Sequence, residues 1–246
     1  MNRNIVLLMG LFSFLIGCVF SNPYQKKKGD WYYDDMIIHV ERGDKFKPLN
    51  NRFARSTQHG YYRGSVIDSS DGTSFEAIDN HYAKDKASVF YCDTYRKGQE
   101  YYLIKRSNIL KIQGADPASF VYLEQGYAKD KQAVYYEADA FPVKDVASFQ
   151  VLTYGFTKDR YMGYCDKTPV EGSDGESFTA LDSHYAKDKN HVFYCTFTGD
   201  GNAPRRMITQ VIKGADLATF ETVSDTTGKT DASDKNARYL KGRPLK

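Results

Sequence analysis

Residues 177–198 read SFTALDSHYAKDKNHVFYCTFT, and residues 74–95 read SFEAIDNHYAKDKASVFYCDTY; 14 of the 22 positions are identical, at a constant offset of 103. Looser copies of the same pattern run along the chain. Phenylalanines at 46, 75, 120, 149, 178 and 220 are separated by 29, 45, 29, 29 and 42 residues, so the base unit is 29 residues and three units were copied together. Aromatic pairs keep the same cadence at Tyr32-Tyr33, Tyr61-Tyr62, Phe90-Tyr91, Tyr135-Tyr136 and Phe193-Tyr194. The excess of 16 and of 13 residues in two intervals falls after Cys92 and Cys195, which marks two insertions at one place in the unit. A unit this small cannot hold a core alone and must stack on its neighbours.

Within a unit the patterning has period two and no helical stripe. Short stretches such as Phe75-Glu76-Ala77-Ile78, His81-Tyr82-Ala83-Lys84 and Val89-Phe90-Tyr91 are divided by polar turn residues, which predicts short strands. The expected fold is all-β: tandem antiparallel meander or hairpin repeats, stacked in an elongated or curved array, with a closed propeller-like ring as the alternative. Six units with half-unit ends are expected over residues 32–246, with insertions near 93–110 and 196–210. An aspartate stands four residues before the phenylalanine at Asp71, Asp116, Asp145, Asp174 and Asp216. In Asp116-Pro117-Ala118-Ser119 the carboxylate is placed to cap one short helical turn through the Ser119 amide. The turns at Asp85-Lys86, Asp130-Lys131, Asp188-Lys189 and Asp234-Lys235 are expected to keep their charges in water.

The first 21 residues read as a signal segment: Arg3, then an apolar run over residues 5–16 that is short for a bilayer span. Leu15-Ile16-Gly17-Cys18 resembles the lipobox of bacterial lipoproteins and makes Cys18 a candidate lipidation site, giving an exported, membrane-anchored product. Val19-Phe20-Ser21 offers ordinary cleavage before Asn22, giving a soluble secreted or periplasmic product. Residues 22–31, with Lys26-Lys27-Lys28, read as a tether. The formal charge of +3, from 34 basic and 31 acidic residues spread along the chain, argues against a nucleic-acid surface.

Polar groups recur in every unit instead of converging in one place, so the expectation is no enzyme, no cofactor and no catalytic residue. The five histidines, His39, His59, His81, His184 and His191, show no metal-ligand spacing, and no calcium loop of Asp-x-Asp-x-Asp-Gly form is present, so no metal site is expected. Cys92, Cys165 and Cys195 remain after processing, an odd number whose spacing fixes no pairing. The insertions interrupt the period and are the place to look for specificity. Tyr95, Tyr101, Tyr102, Lys105 and Arg106 in the first, with Arg205 and Arg206 in the second, are candidate partner contacts.

The motif resembles the DKNYY family, named for its Asp-Lys-Asn-Tyr-Tyr core; Asp188-Lys189-Asn190 followed by Phe193-Tyr194 is the nearest match, and the resemblance covers about residues 32–246. Thr157-Lys158-Asp159-Arg160 with Cys165, and Ser56-Thr57, depart from it, so those turns are expected to differ in form. The resemblance implies a bacterial cell-envelope or secreted protein and carries over no catalytic residue. The resulting expectation is an exported envelope repeat protein acting as a non-catalytic protein-interaction or structural module. The alternative is a carbohydrate or cell-wall binding module that stacks sugars on the periodic tyrosines. The partner is then an envelope protein or a glycan, with membrane contact only through the signal or lipid anchor.

Overall fold

The computed structural model describes residues 22–98, 101, 105–199 and 205–245. The signal segment with Cys18, and Tyr102, lie outside the described residues. Among the described residues seven small antiparallel sheets follow one another, each an up-and-down meander in sequence order. Sheet 4 is representative, with strands Val121–Tyr122, Tyr127–Lys129, Val134–Tyr136 and Asp139–Phe141. Sheet 1 has three strands, between Tyr24 and Ile38. Sheet 7 has all four, from Glu221–Thr222 to Arg243–Pro244, so the closing half unit expected from the spacing is a complete one.

Strands of two to seven residues bury too little to stand alone, and the period-two pattern explains how the stack supplies the rest. In sheet 4, Ala128 and Tyr135 lie opposite each other and join a cluster with Tyr82, Val89 and Tyr91 of the unit before and Phe120 at the end of the linker. Their neighbours Tyr127 and Val134 point the other way, into a cluster with Phe141 and Phe149. Successive side chains of a strand face opposite sides of its sheet, so the Tyr-Ala dipeptide and the aromatic pair each serve two interfaces. Small alanine (Ala54, Ala83, Ala128, Ala186, Ala232) faces backward and large tyrosine or phenylalanine faces forward.

The described residues form six apolar clusters, each between consecutive sheets. None joins sheet 7 to sheet 1, so the closed ring is not formed and the stack is open. In the two copied interfaces the recurring phenylalanine seats over a glycine: a Cβ at Gly60 would lie 2.4 Å from the Phe75 ring, and one at Gly163 the same distance from Phe178. Only a residue without a side chain admits the ring there.

The turn aspartates are not in water, which corrects the expectation from the sequence. Asp85, Asp130, Asp159 and Asp188 are buried, and each is saturated by hydrogen bonds. Asp159 accepts from the Tyr161 and Met162 amides of its own turn at 2.8 and 3.0 Å, from the Lys144 and Asp145 amides of the incoming linker at 2.8 and 2.9 Å, and from the Tyr164 hydroxyl at 2.7 Å. Burial pushes the Asp159 carboxyl up, but these donors outweigh it and hold it below the ordinary carboxylate range. The same clasp binds the Asp116 amide to Asp130, the Asp174 amide to Asp188 and the Asp216 amide to Asp234, at 2.7–2.8 Å.

Each linker aspartate works from the other side of the clasp. Asp116 takes the Ser119 hydroxyl at 2.6 Å, and that hydroxyl accepts the Lys131 amide at 3.1 Å; the Lys131 ammonium closes the loop on Asp116 at 2.9 Å. The Ser119 amide goes to the Asp116 carbonyl, whereas the Ser74, Ser177 and Thr219 amides reach the carboxylates of Asp71, Asp174 and Asp216 at 3.3, 3.1 and 3.1 Å, the cap expected from the sequence. The expected helical turn is therefore a single hydrogen-bonded turn, and the described residues contain no α-helix. Because its hydroxyl is held by the neighbouring hairpin, the turn is fixed by tertiary contact and does not propagate.

The two departures from the motif keep the same form. Arg160 donates its amide to Ser148 at 2.9 Å and pairs with Asp145, and the Ser56 hydroxyl takes the Gln58 and His59 amides at 3.1 and 3.2 Å. The first basic residue of the motif reaches forward instead: Lys84 to the Pro117 carbonyl at 2.9 Å, Lys129 to Val146 at 3.1 Å, Lys158 to Phe178 at 3.2 Å and Arg55 to Phe75 at 3.1 Å. Every position of Tyr-Ala-Lys-Asp-Lys thus has one assignment: two faces of packing, a bond to the next unit, a buried turn clasp and an outer ion pair.

Replacing Asp159 by alanine orphans three amides and a phenolic proton, the Lys144 amide keeping the Tyr164 oxygen, and is expected to lower stability by at least about 3 kcal/mol, whereas Arg160→Ala, at an exposed ion pair, costs under about 1 kcal/mol. Urea unfolding followed by tyrosine fluorescence compares the two, and equal costs would refute the clasp. Small-angle scattering should give a radius of gyration clearly above the about 18 Å of a compact chain of this length; a value at or below it would refute the open stack.

Candidate interaction surface

The third strand stops after three residues in five sheets, but in sheets 3 and 6 it continues for seven, as Val89–Tyr95 and Val192–Thr198. These pair with Arg106–Lys111 and Arg206–Val211, with Tyr95 opposite Arg106 and Thr198 opposite Arg206. The two insertions are therefore antiparallel hairpins that grow out of the stack. Their bases belong to it: Cys92 and Cys195 are fully buried. Farther out, Tyr95, Phe197 and Ile208 are each about 45 % exposed, and at the bases Leu110 and Val211, opposite Tyr91 and Phe193, are about 40 % exposed.

Each hairpin leans back on the unit before it. The Ser107 hydroxyl meets that of Ser65 at 3.1 Å, and at the corresponding place Met207 Sδ lies 3.8 Å from Cys165 Sγ. Of the candidate contacts, Tyr95 and Arg106 are cross-strand neighbours, Tyr101 and Lys105 are exposed near the first tip, and Arg205 stacks over Phe197 at 5.1 Å beside exposed Arg206. They form two groups on sheets 3 and 6, three units apart, and the structure does not bring them into one site.

A groove of about 610 Å³, not anticipated from the sequence, lies between the second hairpin and the last strands of sheet 7. Tyr194, Phe197 and Ile208 form one wall; Leu240, Lys241 and Arg243 form the other. At the places of Lys241 and Arg243, sheet 4 carries Glu137 and Asp139. The two copies of the block therefore share a framework but differ in sign beside their hairpins, a difference visible only once the strands are registered.

The matched histidines are edge pieces of the packing. His81 stacks on Tyr91 and His184 on Tyr194, both with ring centroids 5.9 Å apart. His81 Nδ1 lies 3.0 Å from the Cys92 carbonyl and 3.8 Å from the Asp93 carboxylate, and His184 Nδ1 lies 2.9 Å from the Ser183 hydroxyl. Among the described residues no group of three or more His, Cys, Asp or Glu is placed to hold a metal ion, and no helix is long and apolar enough to cross a membrane.

The periodic tyrosines are inside. Tyr24, Tyr33, Tyr61, Tyr82, Tyr135 and Tyr185 are among twelve buried ones, and their hydroxyls serve the stack. Tyr82 donates to the Gly126 and Glu137 carbonyls of the next unit at 2.7 and 2.9 Å, and Tyr185 donates to Asp231 at 2.6 Å and accepts from the Gly242 amide at 2.9 Å. A row of tyrosines open to sugar rings is therefore not present, because the same side chains make the interfaces between units.

Burial raises the pKa of these phenols, that of Tyr239 to about 12, while the Lys189 ammonium and the Ser177 hydroxyl lower that of Asp174 to about 2. A raised phenol contributes stability that is present below its unfolded value and lost as pH rises through the folded one; a lowered carboxyl contributes stability present above its unfolded value and lost as pH falls. The melting temperature is expected to be flat from about pH 5 to 9, to fall above about pH 10 and to fall below about pH 4. A maximum outside that plateau would contradict the assignment.

The model of the DKNYY family matches the chain twice, over residues 9–94 and 95–243. The boundary between the two matches falls in the first hairpin. No curated protein and no solved structure matches the chain.

Proposed function

We propose that this chain, which belongs to the DKNYY family, is an exported, non-catalytic repeat module whose two long hairpins are its contact surfaces for a protein partner in the cell envelope. The observation that carries this reading is the division of labour along the unit. The recurring side chains are engaged in holding neighbouring sheets, while the two segments that break the period extend beyond the stack and expose aromatic, aliphatic and basic groups together. Mixed surfaces of aromatic residues and arginine are the composition of binding hot spots. The opposite charge beside the two hairpins supports contacts that differ at the two positions. Export is supported by the apolar run over residues 5–16, and attachment to the membrane by the sequence Leu15-Ile16-Gly17-Cys18.

The test replaces residues 93–108 and 196–208 by the two-residue turn Glu137-Ala138 that closes the same strands in sheet 4. The trimmed protein, carrying Cys165→Tyr to refill the core space that Met207 vacates, is expected to melt within a few degrees of the parent yet to lose the partner recovered by in-cell cross-linking. Recovery of the same partner after both hairpins are trimmed would refute the reading, as would turnover of a substrate abolished by one point substitution. Mass spectrometry of the mature N-terminus reports the export step: an acylated Cys18 or a free Asn22 is expected, and an unprocessed Met1 would overturn it.

A further inference from the structure

The duplication copied one core whole. The cluster between sheets 2 and 3 contains Phe53, Tyr62, Ile67, Phe75, Ala83, Phe90 and Cys92, and the cluster between sheets 5 and 6 contains Phe156, Cys165, Val170, Phe178, Ala186, Phe193 and Cys195, position for position. Two of the seven positions differ. Ile67 against Val170 is a change of one methylene group, but Tyr62 against Cys165 removes an aromatic ring from a close-packed interior. The hairpin makes good the loss: Met207 stands where the first copy has Ser107, and its sulfur packs on Cys165 at 3.8 Å. Filling an irregular gap beside another sulfur suits the flexible thioether.

The exchange has a second consequence. In the first copy Cys92 has a tyrosine as its cross-sheet neighbour; in the second, Cys195 has a thiol. Cys195 shares its buried cluster with Cys165, and the neighbouring thiol together with burial pushes the Cys195 thiol well above its ordinary range. Both thiols are reduced and buried in the same cluster, Cys165 on sheet 5 and Cys195 on sheet 6.

We propose that Cys165 and Cys195 are a disulfide site that locks sheet 5 to sheet 6 at the base of the second hairpin, leaving Cys92 as an inert core thiol. The oxidant is a disulfide-bearing molecule. One cysteine, as thiolate, attacks a sulfur of that disulfide and releases a thiol; the second then displaces the remaining half from the mixed disulfide. Two S–H bonds are lost, one S–S bond forms, and the two electrons and two protons leave with the oxidant, now two thiols. Burial keeps thiolate scarce in the closed stack, so the reaction proceeds while these units are folding or parted. The link would join neighbouring units and fix the mount of the hairpin, since Met207 rests on Cys165. The site stands independently of any role as a binding module.

The test uses the full chain, refolded with oxidised glutathione, alkylated and digested with trypsin without reduction. The expected product is peptide 161–167 linked to peptide 190–205, about 2 Da lighter than the two together, with Cys92 alkylated once the protein is denatured. The oxidised protein should melt about 5 °C above the reduced one. Because a single serine substitution can disturb the core, the control is Cys165→Tyr with Met207→Ser, which brings back the first copy's tyrosine and serine at these two places: it should fold, give no link and show no oxidant-dependent shift. Separate alkylation or glutathione adducts on Cys165 and Cys195 would overturn the proposal. So would a link of either residue to Cys92 or Cys18, or a melting shift that persists in the double variant.

Discussion

A buried carboxylate at a hairpin turn is the interaction on which the rest of this structure depends. Short strands cannot position themselves, and the linkers between sheets have no helix to stiffen them. The aspartate of each turn gathers two amides of its own hairpin together with one or two of the incoming linker, so linker and sheet are set as a single piece. That placement decides where the following phenylalanine lands, and the phenylalanine seats the next interface. A buried charge is costly unless its hydrogen-bonding capacity is filled; here the backbone fills it, which makes the geometry of the turn strict.

Stacking then follows from the pleat. A strand three residues long presents its side chains alternately to two neighbours, and interior sheets are covered on both faces. Tyrosine is suited to this place because its ring fills the interface while its hydroxyl reaches a backbone carbonyl or an aspartate in the same or the next unit. The cost of the arrangement is that the side chains most suggestive of a ligand platform are not available to one. What is left for recognition is whatever breaks the repeat, and the two hairpins break it at the same point of two copies of one block.

The copies also show how a duplicated core diverges. Where one copy has a tyrosine the other has a cysteine, and there a methionine from the neighbouring hairpin occupies the space, so the difference is absorbed across two elements far apart in sequence. The electrostatics beside the hairpins diverged more freely, from Glu137 and Asp139 to Lys241 and Arg243, because side chains at the edge of the stack are not held by packing.

The sequence by itself determined the 29-residue period, the all-β character, the place of both insertions and the matching of the two blocks, because those are written in spacing and in alternation along a strand. It also marked Tyr95, Arg106, Arg205 and Arg206 as lying on the insertions. Tertiary structure alone decided that the turn aspartates are inside and their lysines outside, that twelve tyrosines are buried, that the array is open and that Cys165 and Cys195 share one core. Each of these depends on which face of one sheet meets which face of the next. A one-chain pattern records that a side chain alternates, but the neighbour it meets is set by packing between units that share no local sequence.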